Sequence, residues 1–450
     1  MVSVKTESGL ELAQRVLQLA DQEGATEAEA LVMGGSEQLT RFANSEIHQN
    51  VAEDNRTVNL RFAIGKQVGV TSTNRLDDES LRRLAAAAAQ IARLQPERDD
   101  FSGLPGPTDI KPVAGAYERA TAACSPEDRA EAARAVISAA DDAGVLSYGS
   151  FKTVTEHLAV ANSHGIAAEE ERTYGHLITV AMGPDGEAGY AEGAAVDHRA
   201  IDAAALGREA AGKAGASRNT QPVEPGDYPV VLEEYAVTDL LDMLGYVGFS
   251  ALAVQEERSF FEPGKKIGSE LVTIVDDASD PAGMPAAFDY EGVAKQRVTL
   301  LDRGVCSAVV HDAQTAAKAG RDSTGHGLPA PNPWGPFPLN QIMFAGESSR
   351  DELIGGLERG LLVTRFHYTN PVHQKLAIVT GMTRDGLFLV EGGEVRGPVR
   401  NLRFTQSYLE ALAGVEAVGS ERRLLRGFLG PVLVPAVRIS AFTFTGATQH

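Results

Sequence analysis

At 450 residues the chain exceeds one ordinary hydrophobic core, so two domains are expected. Apolar residues at 43% and charged residues at 23% exclude wholesale disorder, and 61 acids against 41 bases give a net charge of -20. That balance argues against nucleic acid or an anionic membrane as partner, because both demand a basic face.

Leu10, Ala13, Val16, Leu17 and Ala20 recur at helical spacing and predict an amphipathic helix over residues 8–23. The period then changes to two. Five alternating segments, "EAEALVMGG", "EQLTRFA", "EIHQNVAE", "RTVNLRFAIG" and "QVGVTSTN", predict an antiparallel meander with a tight hairpin at Gly65-Lys66. A second helix is expected from Asp78 to just before Pro96. Residues 96–115, rich in proline and glycine, read as a long surface connection. Ser125-Pro126-Glu127-Asp128 opens a further helix, with serine as N-cap and proline at the first helical position. More strands follow, with a turn at "NSHG", and the helix "AIDAAALGREAAGKAGA" closes this half.

"RNTQPVEPGD" (218–227) is the expected boundary. The fold class is therefore α+β in two domains. Residues 1–220 form a layered domain of helices on an antiparallel sheet, with 116–220 as its central segment, and residues 221–450 form a mostly β domain. Strands are expected there at 229–233, 270–276, 296–302, 304–310, 376–380, 386–391 and 433–444. Helices are expected near 234–247, 312–319, 349–359 and 406–413.

Chemistry is sparse. In the 234–247 helix Ala236, Val237, Leu240, Leu241, Leu244 and Val247 form an apolar face. Glu233, Glu234, Asp239 and Asp242 fall mostly off it. Asp239 and Asp242, at i and i+3, have the spacing for a shared metal or paired carboxylates. The simpler reading is a solvated acidic face with first-turn acids answering the helix dipole. His367 and His373 lie six apart across Pro371, a spacing no helical metal site uses. His326 opens a segment with five prolines and three glycines between Gly325 and Pro338, beside the single tryptophan, Trp334. Such a segment is expected to run over the surface, either as a binding loop or as a loop that packs Trp334 on a neighbour. The two cysteines, Cys124 and Cys306, exclude a disulfide framework, and Cys306 in "VCSAVV" reads as a buried hydrophobe. No run of about eighteen apolar residues and no apolar leader appears, so a cytoplasmic location without membrane contact is expected.

Three stretches together resemble the TldD/PmbA family. They are "RFANSEIHQNVAEDNRTVNLRFAIGKQVGVTSTNRLD", then "SFFEPGKKIGSELVTIVDD" with "FDYEGVAKQRVTLLDRGV" and "AAKAGRDSTG", and finally "VTGMTRDGLFLVEGGEVRGPVRNLRF" with "VPAVRISAFTFTG". The resemblance implies a metallopeptidase built from two homologous subunits. One carries zinc on an H-E-x-x-x-H helix with a later cysteine as a further ligand. The other, PmbA-like (TldE), has the same fold without those ligands, and extended peptides thread into a cavity shared by the pair.

Aligned to that pattern, Asp242 and Met243 stand at the His-Glu pair and Val247 at the second histidine. No histidine lies between His198 and His311, and no cysteine follows Cys306. The resemblance is thus to the metal-free subunit: no cofactor in this chain, zinc in a TldD-like partner, and a peptide or small amide as substrate. Glu291, His326, Trp334 and Asn370 are expected to face the shared cavity. Strand edges near "YEGVAKQ" and "RDGLFLVEGGE" are expected to clamp substrate by strand addition. "HYTNPVH" departs from the family's usual sequence there and points to a specialised ligand. The same pair acting on an amide of a small metabolite, and a stand-alone peptide-binding homodimer, are the competing expectations.

Overall fold

The computed structural model describes residues 7–447. Its mixed α+β architecture follows the expected class, with three sheets in place of a simple two-layer division.

The first helix, Gly9–Gln22, starts at a reciprocal capping box between Ser8 and Glu11 and buries Leu12, Ala13, Val16 and Ala20. It packs with Asp78–Leu94 on the first sheet. That six-stranded antiparallel sheet combines Gln67–Thr73, Glu46–Ile64, Glu27–Ala43, Leu146–Asn162, Ala167–Met182 and Ala188–Ala195 in spatial order. The hairpin at Gly65-Lys66 is present, closed by the Ile64–Gln67 pair. Alternation decides which side chain faces which layer. Ala30 and Val32 meet the helices, whereas Leu31 between them meets the C-terminal half, and Leu158 and Ala159 divide in the same way. Helices Pro126–Asp142 and Ala203–Ala216 complete the helical layer over Phe42, Phe151 and Leu177.

The meander is coarser than its sequence pattern. The first four expected segments are two strands of 17 and 19 residues. Gly34-Gly35, at the end of the first segment, lies within the first of these strands. Gly35 has φ 144, and a Cβ there would sit 1.8 Å from the Thr155 carbonyl oxygen on the neighbouring strand. Glycine here permits close approach of two backbones and does not end the strand.

The second sheet is built of short strands, Val305–Cys306, Val298–Asp302, Ile274–Asp276, Gln341–Met343, Pro431–Val434 and Arg423–Arg426. The third closes on itself. Arg359–His373 pairs with both Gly226–Leu232 and Ile378–Glu391, and Leu402–Ser407 and Val437–Ala447 complete the ring. Phe366, Phe404 and Phe442 pack in this region, with ring centroids 4.6 Å apart for the first two.

The ring corrects one expectation. "RDGLFLVEGGE" is no free edge, because Ile378–Glu391 is paired on both sides, by Arg359–His373 and by Glu394–Pro398 or Leu402–Ser407. "YEGVAKQ" is not a strand at all and contributes a single bridge, Phe288 to Ala294. Within the ring the backbone of Ile378–Glu391 is satisfied internally, and the free side of the sheet there belongs to its outer strand, Glu394–Pro398. His367 and His373 lie on one bulged strand, Arg359–His373. Of the expected 304–310 strand only Val305–Cys306 forms, and Cys306 is buried as expected.

Candidate functional site

The Glu234–Val247 helix occupies the expected place, but its acids are not a solvated face. Glu233 is 2% exposed and pairs with Lys213 at 2.7 Å and with Arg350. Lys213 comes from Ala203–Ala216, so this carboxylate ties the two halves together. Asp239 is half-buried, and its two oxygens accept from the Thr369 hydroxyl at 2.6 Å and the Tyr408 hydroxyl at 2.8 Å. Asp242 is buried and accepts from the backbone N–H groups of Phe428 at 2.5 Å and Leu429 at 3.2 Å. Burial pushes Asp239 up to about 6 and Asp242 up to about 7, against the hydrogen bonds each accepts. The helix is sandwiched between the C-terminal sheets and the first domain, which is why off-face acids still lose water. Each became a fixed acceptor.

An aromatic group surrounds the far end of this helix. The Tyr246 ring lies 6.3 Å from Trp334, 5.6 Å from Phe337 and 6.0 Å from Phe428. Trp334 is 55% exposed and Phe428 75% exposed. The proline-rich segment therefore does reach the surface at Trp334. His326, at its start, does not: it is fully buried, with Nε2 2.8 Å from Asp276 Oδ1 and Nδ1 2.9 Å from the Thr324 hydroxyl.

Asp276, on the second sheet, also accepts from the Asn340 N–H at 2.7 Å and lies 3.5 Å from Lys295. Burial acts to raise its pKa, but Lys295 and His326 outweigh burial and hold the carboxyl well below its usual range. Burial likewise keeps His326 below the ordinary histidine value. Glu291 is buried behind this group. It pairs with Arg61 of the first sheet at 3.2 Å and accepts from the Ala313 N–H at 2.9 Å, and burial raises it to about 8 despite Arg61.

The halves meet around a cavity of ≈ 120 Å³. His326 lines it; Glu291, Trp334 and Asn370 do not. Asn370 lies exposed on Arg359–His373 and donates to the Tyr368 carbonyl. The four expected residues thus fall into a seam (His326 and Glu291), an aromatic patch (Trp334) and a strand surface (Asn370). Sequence reading missed Tyr174, Arg172, Lys295 and Arg426, which line the cavity from different strands and loops. None carries a local motif, and only the tertiary fold assembles them.

An antiparallel sheet backed by helices, docked on a half with a closed β ring and one buried helix, defines an α+β protein of a particular architecture. Residues 28–92 match PmbA/TldA metallopeptidase domain 1, residues 121–218 the central domain, and residues 225–446 the C-terminal domain. The chain belongs to the PmbA/TldD family.

Among curated relatives, a metalloprotease of Methanothermobacter thermautotrophicus is 29% identical over 232 residues, covering 50% of each chain. A metalloprotease TldD homolog of Haemophilus influenzae is 28% identical, covering 43% of this chain and 42% of its own. The aligned part spans about half the length, or less, of these relatives. Two solved structures share the fold nearly end to end. TldE of Thermococcus kodakarensis has a TM-score of 0.87 at 21% identity and covers 97% of this chain and 100% of its own. A putative modulator of a DNA gyrase from Thermotoga maritima has a TM-score of 0.84 at 22% identity, covering 97% and 99%.

Proposed function

We propose that this chain is the metal-free subunit of a two-chain TldD/TldE-type peptidase, pairing with a homologous zinc-bearing subunit and helping to enclose an extended peptide. The observation that carries this reading is the chemistry of the Glu234–Val247 helix. At the positions that the family resemblance gives to zinc ligands stand Asp242, Met243 and Val247. Zinc of this type needs imidazole, carboxylate or thiolate donors with lone pairs free to bind. Asp242 already serves two backbone N–H groups, Val247 is a buried hydrocarbon, and Met243 offers only a thioether. The residues present do not fit the metal, so the hydrolytic step belongs to the partner.

What this chain supplies is a surface. The exposed rings of Trp334 and Phe428 beside this helix give contact area at small entropic cost. Co-expression with an H-E-x-x-x-H homologue from the same source is the test. A stable heterodimer should cleave unfolded peptides, and neither chain alone should do so. Failure to co-purify, or equal cleavage by this chain alone, contradicts the proposal.

A further inference from the structure

We infer that the cavity between the two halves binds a small organic carboxylate, held by the guanidinium of Arg426. Its walls come from both halves. Leu146–Asn162 and Ala167–Met182 supply Glu156, Leu158, Arg172 and Tyr174, while the C-terminal half supplies Met284, Phe288, Lys295, Leu339, Arg426 and Leu429. Three cations line the cavity, and two are already answered. Arg172 lies 3.2 Å from Glu156, and Lys295 lies 3.5 Å from Asp276.

Arg426 differs. Its guanidinium stacks 4.0 Å over the Tyr174 ring, and its one side-chain hydrogen-bonding contact is the Met284 sulfur at 3.5 Å. Among the described residues no carboxylate pairs with it, although its backbone N–H donates to Glu192. An arginine offers five N–H donors in a planar fork matched to a carboxylate, and the ring beneath fixes the plane of that fork. Arg426 is half-buried, so its fork keeps donors open to the cavity that a carboxylate can take up in place of water.

The rest of the wall sets the ligand's size and charge. Leu158, Phe288, Met284 and Leu339 present hydrocarbon. The volume approaches the ~150 Å³ that accommodates a benzene-sized body. Glu156 and Asp289 also line the cavity and disfavour a doubly charged ligand such as phosphate. The acid that fits is a monoanion with a short hydrocarbon body. Because it touches both halves, its binding stabilises their docked arrangement. The inference needs neither zinc nor a partner chain and stands apart from the peptidase reading.

Calorimetry and thermal unfolding of the purified full chain with pentanoate, pentanamide and inorganic phosphate test it. Pentanoate should bind one per chain and raise the Tm, with the uncharged amide and phosphate each weaker by about tenfold or more. Arg426→Gln should weaken pentanoate to a similar degree while keeping the wild-type circular dichroism. Met284→Trp, which fills the cavity and keeps the arginine, should also abolish binding. No saturable pentanoate binding to the wild-type chain, amide or phosphate equal to pentanoate, or unchanged binding by folded Arg426→Gln would overturn the site. Should Arg426→Gln fail to fold, undiminished binding by Met284→Trp would overturn it.

Discussion

Asp276→Ala should lower the unfolding free energy by about 3–5 kcal/mol, the cost typical of breaking a buried ion pair from one side. The carboxylate is fully buried and serves three groups at once, His326, Lys295 and the Asn340 N–H. Removing it strands a lysine whose side chain is 6% exposed together with two buried donors. A second replacement, Lys295→Met, added to the first should recover part of the loss, because the uncompensated charge goes with it. Urea unfolding of both variants measures this, and a single-mutant cost below about 1 kcal/mol would mean that water reaches the group. The pH dependence has a definite sign. The folded-state pKa of Asp276 is depressed, so its contribution is present above the unfolded value and is lost as pH falls through the acidic range.

Asp242→Asn should act in the opposite direction of pH. Burial raises the folded pKa of Asp242 to about 7, above the model-peptide value near 3.8. The folded protein therefore holds a proton that the unfolded chain has released, and stability falls as pH rises from about 4 to about 7. The full span amounts to something on the order of 4 kcal/mol. Asparagine cannot ionise, keeps one carbonyl acceptor for the Phe428–Leu429 turn, and removes one proton's worth of slope. Urea midpoints at intervals from pH 5 to pH 8 should decline less steeply for the variant than for the wild type. Asp239 and Glu291 are also raised, to about 6 and about 8, so a residual decline is expected. Parallel profiles for wild type and variant would show that Asp242 is ionised at little cost.

These residues also show what could be read without coordinates. The Glu234–Val247 helix was legible because six apolar residues repeat at helical spacing and the apolar face is real. The fate of its acids was not, since Lys213, Arg350, Thr369, Tyr408 and the 428–429 backbone arrive from distant parts of the chain. The burial of His326 was illegible for the same reason. Proline and glycine around it mark irregular backbone correctly, but irregular backbone can be buried when its polar groups find partners, as Asp276 and Thr324 provide here. "RDGLFLVEGGE" does form strand, but its pattern says nothing about which strands pair with it, and "YEGVAKQ" forms none. Arg426 is one arginine among many in the sequence and becomes distinctive only once it lines a cavity with no carboxylate partner among the described residues.

The central claim is that the metal chemistry of this system lies on another chain. Zinc content of the isolated protein tests it most directly, measured by elemental analysis after equilibration with excess zinc and removal of loosely bound ion. The account predicts far less than one zinc per chain, with no change on replacing Asp242 by asparagine. One tightly held zinc per chain, lost in that variant, would contradict it.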